Sequence, residues 1–295
     1  MTPTKGIDIS QYQGKPDFAK VKTSVDYVIA KAGYGKYTSQ KDPSFEHNYS
    51  QCKRNNIPMG AYWYSYANSV ADAQAEAQAC LTILKGKKFE YPIYYDVEEG
   101  SQFAKGSQFI NSIIKAFCSV LEKNGYYVGV YMSRGYVTQY LSKETLGKYA
   151  LWIAEYGASK PNYSGTYGMW QYSSTGKIPG ITGNVDLDFG YFDYPSAIKS
   201  AGLNGYEKPK NTKKTLDSTG MKEGSRGLDV LAYKQLLMAA RQAGIISQSV
   251  DNNDIFGEGT KKATNEVLAS GNYAQNGIAG TETIKYLGKI IKGSV

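Results

Sequence analysis

The feature that most constrains this chain is a recurrence. Eight short apolar or aromatic runs, "GIDISQY", "YVIAKAGYG", "PMGAYWYSY", "PIYYDVE", "YVGVYMS", "LWIAEYG", "GMWQYSS" and "VDLDFGYF", each run out into polar residues, the pattern of strands bounded by turns. Helix-like segments separate the first six: 17–24, 43–55, "SVADAQAEAQACLTILKG", "SQFINSIIKAFCSVLEKNG" and 142–149. In the third, Ser69 and Asp72 have capping-box spacing and Gly86 is a stop; the fourth puts Phe109, Ile110, Ile113, Ile114, Phe117, Val120 and Leu121 on one stripe and stops at Gly125. After the sixth strand only Gly/Ser/Pro/Asn-rich turns intervene. Strands alternating with helices imply a parallel sheet, and eight of them imply closure. The expectation is an α/β fold: an irregular TIM-like barrel of eight strands and about five helices over residues 1–200, its final strands joined by loops.

Three of these strands carry acid. Alternate side chains of a strand share a face, so in "YPIYYDVEEG" Tyr94, Asp96 and Glu98 point one way and Tyr95, Val97 and Glu99 the other. Alternation likewise sets Asp8 opposite Ile7 and Ile9, and Asp186 and Asp188 opposite Val185 and Leu187. With the aliphatic residues under the helices, all these carboxyls face the barrel interior, where unpaired charge is costly and bulky aliphatic residues are the rule. Acids gathered at strand ends of a barrel instead have the look of an active site.

Paired carboxyls suit one chemistry well. One, its pKa raised by crowding and burial, protonates a leaving oxygen, while the other stays charged and stabilises an oxocarbenium-like centre. That is glycosidic bond hydrolysis. The surroundings fit a sugar: aromatic residues are 13% of the chain, 27 of them tyrosines, and many crowd the same strand ends, offering apolar faces to a pyranose and hydroxyls to its edge. Tyr34, Tyr62, Trp63, Tyr64, Tyr131 and Trp170 are the substrate-binding candidates among them.

Composition removes competitors. One histidine, His47, leaves little room for a Ser-His-Asp triad or a His-rich zinc site. Cys52, Cys80 and Cys118 lie far apart in helical stretches, as buried small residues rather than a disulfide framework or metal site. Neither a metal nor a cofactor is expected. No apolar run approaches the length of a membrane span, and "MTPTKGIDIS" lacks an apolar signal core; the expectation is synthesis in a host cytoplasm, no membrane insertion, and action on the wall after release. A net charge of +8 favours a polyanionic partner. The lysines are scattered and no nucleic-acid motif accompanies them, so anionic cell-wall polymer is the expected partner, and nucleic acid is not.

In order and spacing, "GIDISQYQG", "IPMGAYWYSY", "PIYYDVE", "LWIAEYG" and "MWQYSSTGKIPGITGNVDLDFG" resemble the motifs of the family-25 glycoside hydrolases, N-acetylmuramidases (lysozymes) common among phage endolysins. The resemblance covers about residues 5–192. It implies cleavage of the β-1,4 bond between N-acetylmuramic acid and N-acetylglucosamine in peptidoglycan. On matching positions it implies Glu98 as general acid, Asp96 as its partner, and Asp8 and Asp186 completing the catalytic cluster. Trp152, Glu155, Gln171 and Asp188, within the shared motifs, join the substrate-binding candidates. Relatives often carry asparagine at the position of Asp188, which ranks it below Asp186, and many carry glutamate where this chain has Tyr34.

Beyond Tyr194, "SAGLNGYEKPKNTKKTLDSTGMKEG" reads as a linker, assigned to 201–221. Residues 222–295 then give an amphipathic helix, "GLDVLAYKQLLMAARQAG", and two turns of one theme, "DIFGEGTKKATNEVLAS" and "NGIAGTETIKYLGKII". This small, mainly helical domain resembles the three-helix peptidoglycan-binding domain of wall hydrolases, although Val267-Leu268 replaces the Phe-Gln frequent in its middle helix. Peptidoglycan binding and self-association are the partner expectations for it, and Met221 is a candidate internal start. The alternative function is a catalytically inactive carbohydrate- or peptidoglycan-binding protein.

Overall fold

Residues 2–208 and 214–293 are described by a computed structural model. The chain divides into two compact units, Met1–Pro209 and Lys210–Val295.

In the first unit all eight expected strands form, and they close into one barrel in chain order. They are β1 (Thr4–Ile9), β2 (Tyr27–Tyr34), β3 (Met59–Tyr64), β4 (Ile93–Asp96), β5 (Val128–Ser133), β6 (Ala150–Ala154), β7 (Met169–Gly176) and β8 (Val185–Gly190). The helices on the way are α1 (Phe18–Val21), α2 (Phe45–Arg54), α3 (Val70–Leu84), α4 (Gly100–Phe103), α5 (Ser107–Lys123), α6 (Arg134–Tyr140), α7 (Lys143–Lys148) and α8 (Tyr194–Ala201). Ser69 caps α3 by accepting from the Asp72 N–H, and the Asp72 carboxylate accepts in turn from the Asn68 N–H. The long stripe of α5 is buried as expected, with Ile110, Ile113, Ile114, Phe117 and Leu121 under it.

Strand alternation divides the side chains. Ile7, Ile9, Val28, Ala30, Ile93, Tyr95, Val97, Val130 and Leu151 join the core between sheet and helices. Tyr27, Ile29, Tyr94, Tyr131, Trp152 and Met169 form a second, interior cluster. Such large rings fit inside a narrow barrel because glycine faces them: a Cβ on Gly6 would overlap the Tyr27 ring, and one on Gly129 the Tyr94 ring. Tyr194 and Ile198 of α8 belong to the same cluster and, with Tyr91, close the base.

Two features depart from expectation. First, β8 runs antiparallel to both β7 and β1. The connection 177–184 is eight residues long, short of the dozen or so that a parallel crossover needs, so β7 and β8 pair as a hairpin, whereas the longer helix-free connection 155–168 lets β6 and β7 run parallel. Second, residues expected in the linker belong to the folded units. Asn204 is fully buried in the first unit, accepting from the Tyr127 N–H at 2.7 Å and donating to the Tyr91 carbonyl at 2.8 Å. In the second unit Asp217 accepts from the Thr283 N–H at 2.7 Å and the Thr283 hydroxyl at 2.8 Å. Residues 209–213 of the expected linker lie outside the described residues.

The second unit packs α9 (Leu228–Gln242), α10 (Glu258–Ser270) and α11 (Thr281–Lys292) around Tyr233, Leu237, Phe256, Val267 and Leu287. Lys234 of α9 is wholly buried, and its ammonium donates to Asp251, Asn253 and the Ile255 carbonyl at 2.6, 2.8 and 3.0 Å. Each of its protons is thereby used, which fastens the loop between α9 and α10.

Candidate active site

At the mouth where the parallel strands end, a cavity of about 240 Å³ is lined by Asp8, Lys31, Tyr62, Tyr64, Asp96, Glu98, Tyr131, Trp152, Tyr156, Gln171 and Asp186. Asp96 is the last residue of β4 and Glu98 lies two positions on; Asp8 lies near the end of β1. Asp186 stands near the start of β8, not at a strand's end as expected, yet reaches the same mouth because that strand is reversed and sets it directly opposite Asp8. All four expected catalytic carboxyls therefore meet in one place.

Their environments differ. Asp96 is almost fully buried, with one carboxyl oxygen lacking any hydrogen-bond partner among the described residues. Burial and the neighbouring Glu98 raise its pKa well above the usual aspartate range, and Lys31 pulls against them. Glu98 stands exposed at the mouth; partial loss of solvent and the charge of Asp186 raise it, again against Lys31. Asp8 is pushed up by burial, then by Asp188 and Asp186, while the amide of Gln171 holds it down. Asp188 is raised chiefly by burial. Carboxyls this close and this dry cannot all be charged, so the cluster retains protons above the normal carboxylate range.

A hydrogen-bond network centred on buried Gln171 braces the site. Gln171 donates to Asp8 at 2.7 Å, and its amide oxygen accepts from the hydroxyls of Tyr131 at 2.8 Å and Tyr156 at 2.6 Å. On the opposite wall the Tyr64 hydroxyl donates to Glu99 at 2.9 Å. Behind β4, buried Glu76 accepts from the Tyr95 hydroxyl at 2.6 Å and the Tyr66 N–H at 2.7 Å, tying the strand that carries Asp96 to the loop after β3.

Of the ten expected substrate-binding residues, Tyr62, Tyr64, Tyr131, Trp152 and Gln171 line the cavity. Tyr34 is on the rim, its ring 5.7 Å from the Lys31 ammonium. Glu155 lines an adjoining cavity of about 320 Å³ that shares Glu98, Tyr131 and Tyr156 with the first. Three residues lie elsewhere. Trp63 is fully buried in the outer core, its indole donating to the Gly35 carbonyl at 2.9 Å. Trp170 packs in the same layer, near Tyr172 and Phe189, and donates to the Glu155 carbonyl. Each occupies the outward parity of its strand, next to an inward Tyr62 or Gln171. Asp188 faces inward but beneath the cavity, where it accepts from the Trp152 indole at 2.8 Å. Its place is structural: it orients the Trp152 ring that lines the cleft.

Sequence reasoning passed over Lys31. Its ammonium sits 4.9 Å from the Tyr64 ring centre and 5.9 Å from that of Tyr62, and it is the one cation among the described residues lining the 240 Å³ cavity. The signal was its inward parity with Tyr27 and Ile29 in "YVIAKAGY".

Residues 7–181 match the sequence profile of Glycosyl hydrolases family 25. The chain belongs to this family. Over 185 residues it is 36% identical to the autolytic lysozyme of Clostridium acetobutylicum, a match covering 62% of this chain and 55% of that one. The modular autolysin LytC of Streptococcus pneumoniae, solved with a synthetic peptidoglycan ligand, aligns at a TM-score of 0.56 and 31% identity, over 64% of this chain and 47% of the other. The matched family-25 region thus spans about half the length of each of these relatives. The CTP1L endolysin shares the fold over 98% of this chain and 99% of its own, at a TM-score of 0.60 and 20% identity.

A separate cavity of about 620 Å³ lies in the second unit, lined among others by Met221, Asp229, Tyr233, Leu236, Ala279 and Ile284.

Proposed function

We propose that this chain is a lysozyme of the endolysin type, hydrolysing the β-1,4 bond between N-acetylmuramic acid and N-acetylglucosamine in bacterial peptidoglycan. The observation that carries the reading is the convergence of Asp8, Asp96, Glu98 and Asp186 in one tyrosine-walled cleft. Family membership supports it, as does the Clostridium relative's description as an autolytic lysozyme.

In this reading Glu98, the carboxyl of the Asp96/Glu98 pair that opens to solvent, is the general acid. It gives its proton to the glycosidic oxygen as the bond to the anomeric carbon breaks. A bound glycan covers Glu98 and strips its water, which raises its pKa further and keeps the proton in place for transfer. Asp96, its pKa raised by burial, is drawn to its ionised form by Lys31 and by the positive charge developing at the anomeric carbon, which it then stabilises, or it orients the substrate's acetamido group. Asp8, braced by Gln171, and Asp186 complete the field. A water then adds to the anomeric carbon and returns a proton to Glu98.

The test is mass spectrometry of digested wall. New reducing ends on muramic acid are expected; free peptide amines would sink the reading in favour of an amidase or peptidase. Glu98→Gln is expected to slow release by about 10²–10⁴-fold, whereas undiminished clearing of wall suspensions would favour the inactive binding protein.

For the second unit we infer wall anchoring, with peptidoglycan and anionic wall polymers as ligands and the 620 Å³ cavity as the candidate groove. The CTP1L structure is described as revealing regulation by a secondary translation product. A product of this chain starting at Met221 would lack Asp217 and its bonds to the first turn of α11. Self-association of such a fragment with the full chain would therefore involve a unit with a weakened last helix.

A further inference from the structure

The 320 Å³ cavity that opens beside Glu98 holds one cation among its described lining residues, Arg134 at the start of α6. Its guanidinium is aimed by a fixed partner. The Nε–H donates to Glu155 Oε1 at 3.1 Å, and the other oxygen of Glu155 accepts from the Asn162 N–H at 2.6 Å. Side-chain exposures of 35% for Arg134 and 17% for Glu155 leave the arginine half open and its anchor mostly covered. The two terminal nitrogens of Arg134 have no protein partner among the described residues. A guanidinium with one edge held and the other free is a planar fork, matched to carboxyl oxygens rather than to single hydroxyls.

This cavity and the catalytic cleft share Glu98, Tyr131 and Tyr156. A glycan placed against Glu98 therefore lies beside the cavity that holds Arg134. The two sugars of the proposed substrate differ at one substituent: muramic acid carries an ether-linked lactyl group, whose carboxyl is an amide to the peptide stem in intact wall and a free carboxylate where the stem has been removed. Resting on the hydrolase reading, we infer that Arg134 binds the two carboxylate oxygens of that lactyl group where the stem has been removed, and makes this chain favour stem-free muramyl sugars. Glu155 is then a positioning residue, holding the fork in register.

The test uses the full chain and soluble glycan strands in two forms: stems removed, leaving a lactyl carboxylate on every muramic acid, and the same strands with that carboxylate reduced to the alcohol. Arg134→Ala is expected to lower kcat/KM by about tenfold or more on carboxylate-bearing strands, the scale of one charge-assisted hydrogen bond. On reduced strands the loss is expected to shrink to about twofold. Arg134→Lys, keeping the charge without the fork, is expected to recover part of the difference. An equal loss on both strands would mean that Arg134 serves only to hold Glu155 and would overturn the inference, as would no loss on either. Should the parent chain release no muramic acid ends from either strand, the hydrolase reading is what fails. The inference is then decided by calorimetric affinities of the Glu98→Gln chain for the two strands, with and without Arg134→Ala: selective weakening on the carboxylate form upholds it, and equal or absent weakening overturns it.

Discussion

The side-chain amide of Gln171 donates to Asp8 at 2.7 Å across 163 positions of sequence, joining β7 to β1 inside the barrel. Its oxygen meanwhile accepts from Tyr131 and Tyr156. One amide thus serves an acid and two phenols. Gln171→Leu, close in volume, leaves all three without that partner. The expected result is a loss of about 1–3 kcal/mol in stability, read by denaturant unfolding, together with lowered turnover as Asp8 loses the donor that holds its pKa down.

Lys31 bears on how activity depends on pH. Its ammonium pulls both Asp96 and Glu98 downward. On the proposed mechanism the acid limb of the rate profile follows ionisation of the Asp96/Glu98 pair's first proton and the basic limb follows loss of its second. Lys31→Met removes the downward pull from both, so both limbs are expected to move to higher pH. A profile unmoved by the substitution would show that solvent screens the ammonium from the pair.

The buried acids also set the pH dependence of folding. Asp8, Asp96 and Asp188 have folded pKa values raised above those of the unfolded chain. The folded state therefore holds protons the unfolded state releases, and stability falls as pH rises from the unfolded value of about 3.9 through the raised folded values. Asp188→Asn keeps an acceptor for the Trp152 indole while removing one of these ionisations. It is expected to flatten the decline and to be more stable than the parent at neutral pH, measured by unfolding across that range.

Strand parity is why so much of the site was legible. Aliphatic neighbours on both sides of Asp8 and Asp186 declare which face turns inward, Leu187 and Phe189 do the same for Asp188, and Asp96 and Glu98 follow from Val97 between them. Where residue type was preferred to parity, the expected position and the observed one differ. Trp63 and Trp170 are aromatic and near strand ends, yet they hold outward positions and are buried in the core outside the barrel, Trp170 against Tyr172 and Phe189. Lys31 was overlooked because a lone lysine in an apolar strand is ordinarily a solvent-facing residue, and only closure of the barrel turns that face inward. The direction of β8 lies in the length of the connection after β7, too short for a parallel crossover, a signal that reading by composition leaves aside. Asn204 looked like linker for a similar reason: its value lies in two bonds to the backbone around Tyr91 and Tyr127, more than 75 residues away.

The pairing of Thr4–Asp8 with Asp186–Gly190 joins the first strand to the last. Asp8 comes from the opening residues, and Gln171 and Asp186 from near the end of the unit, so no fragment emerging from a ribosome holds the complete pocket until residue 190 has been made. Long-range closure of this kind is entropically late and slow. A half-made chain carries Asp96 and Glu98 but has neither Gln171 nor Asp186 to complete the cavity around them. Maturation of the chemistry and completion of the barrel are then one event, timed by the seam.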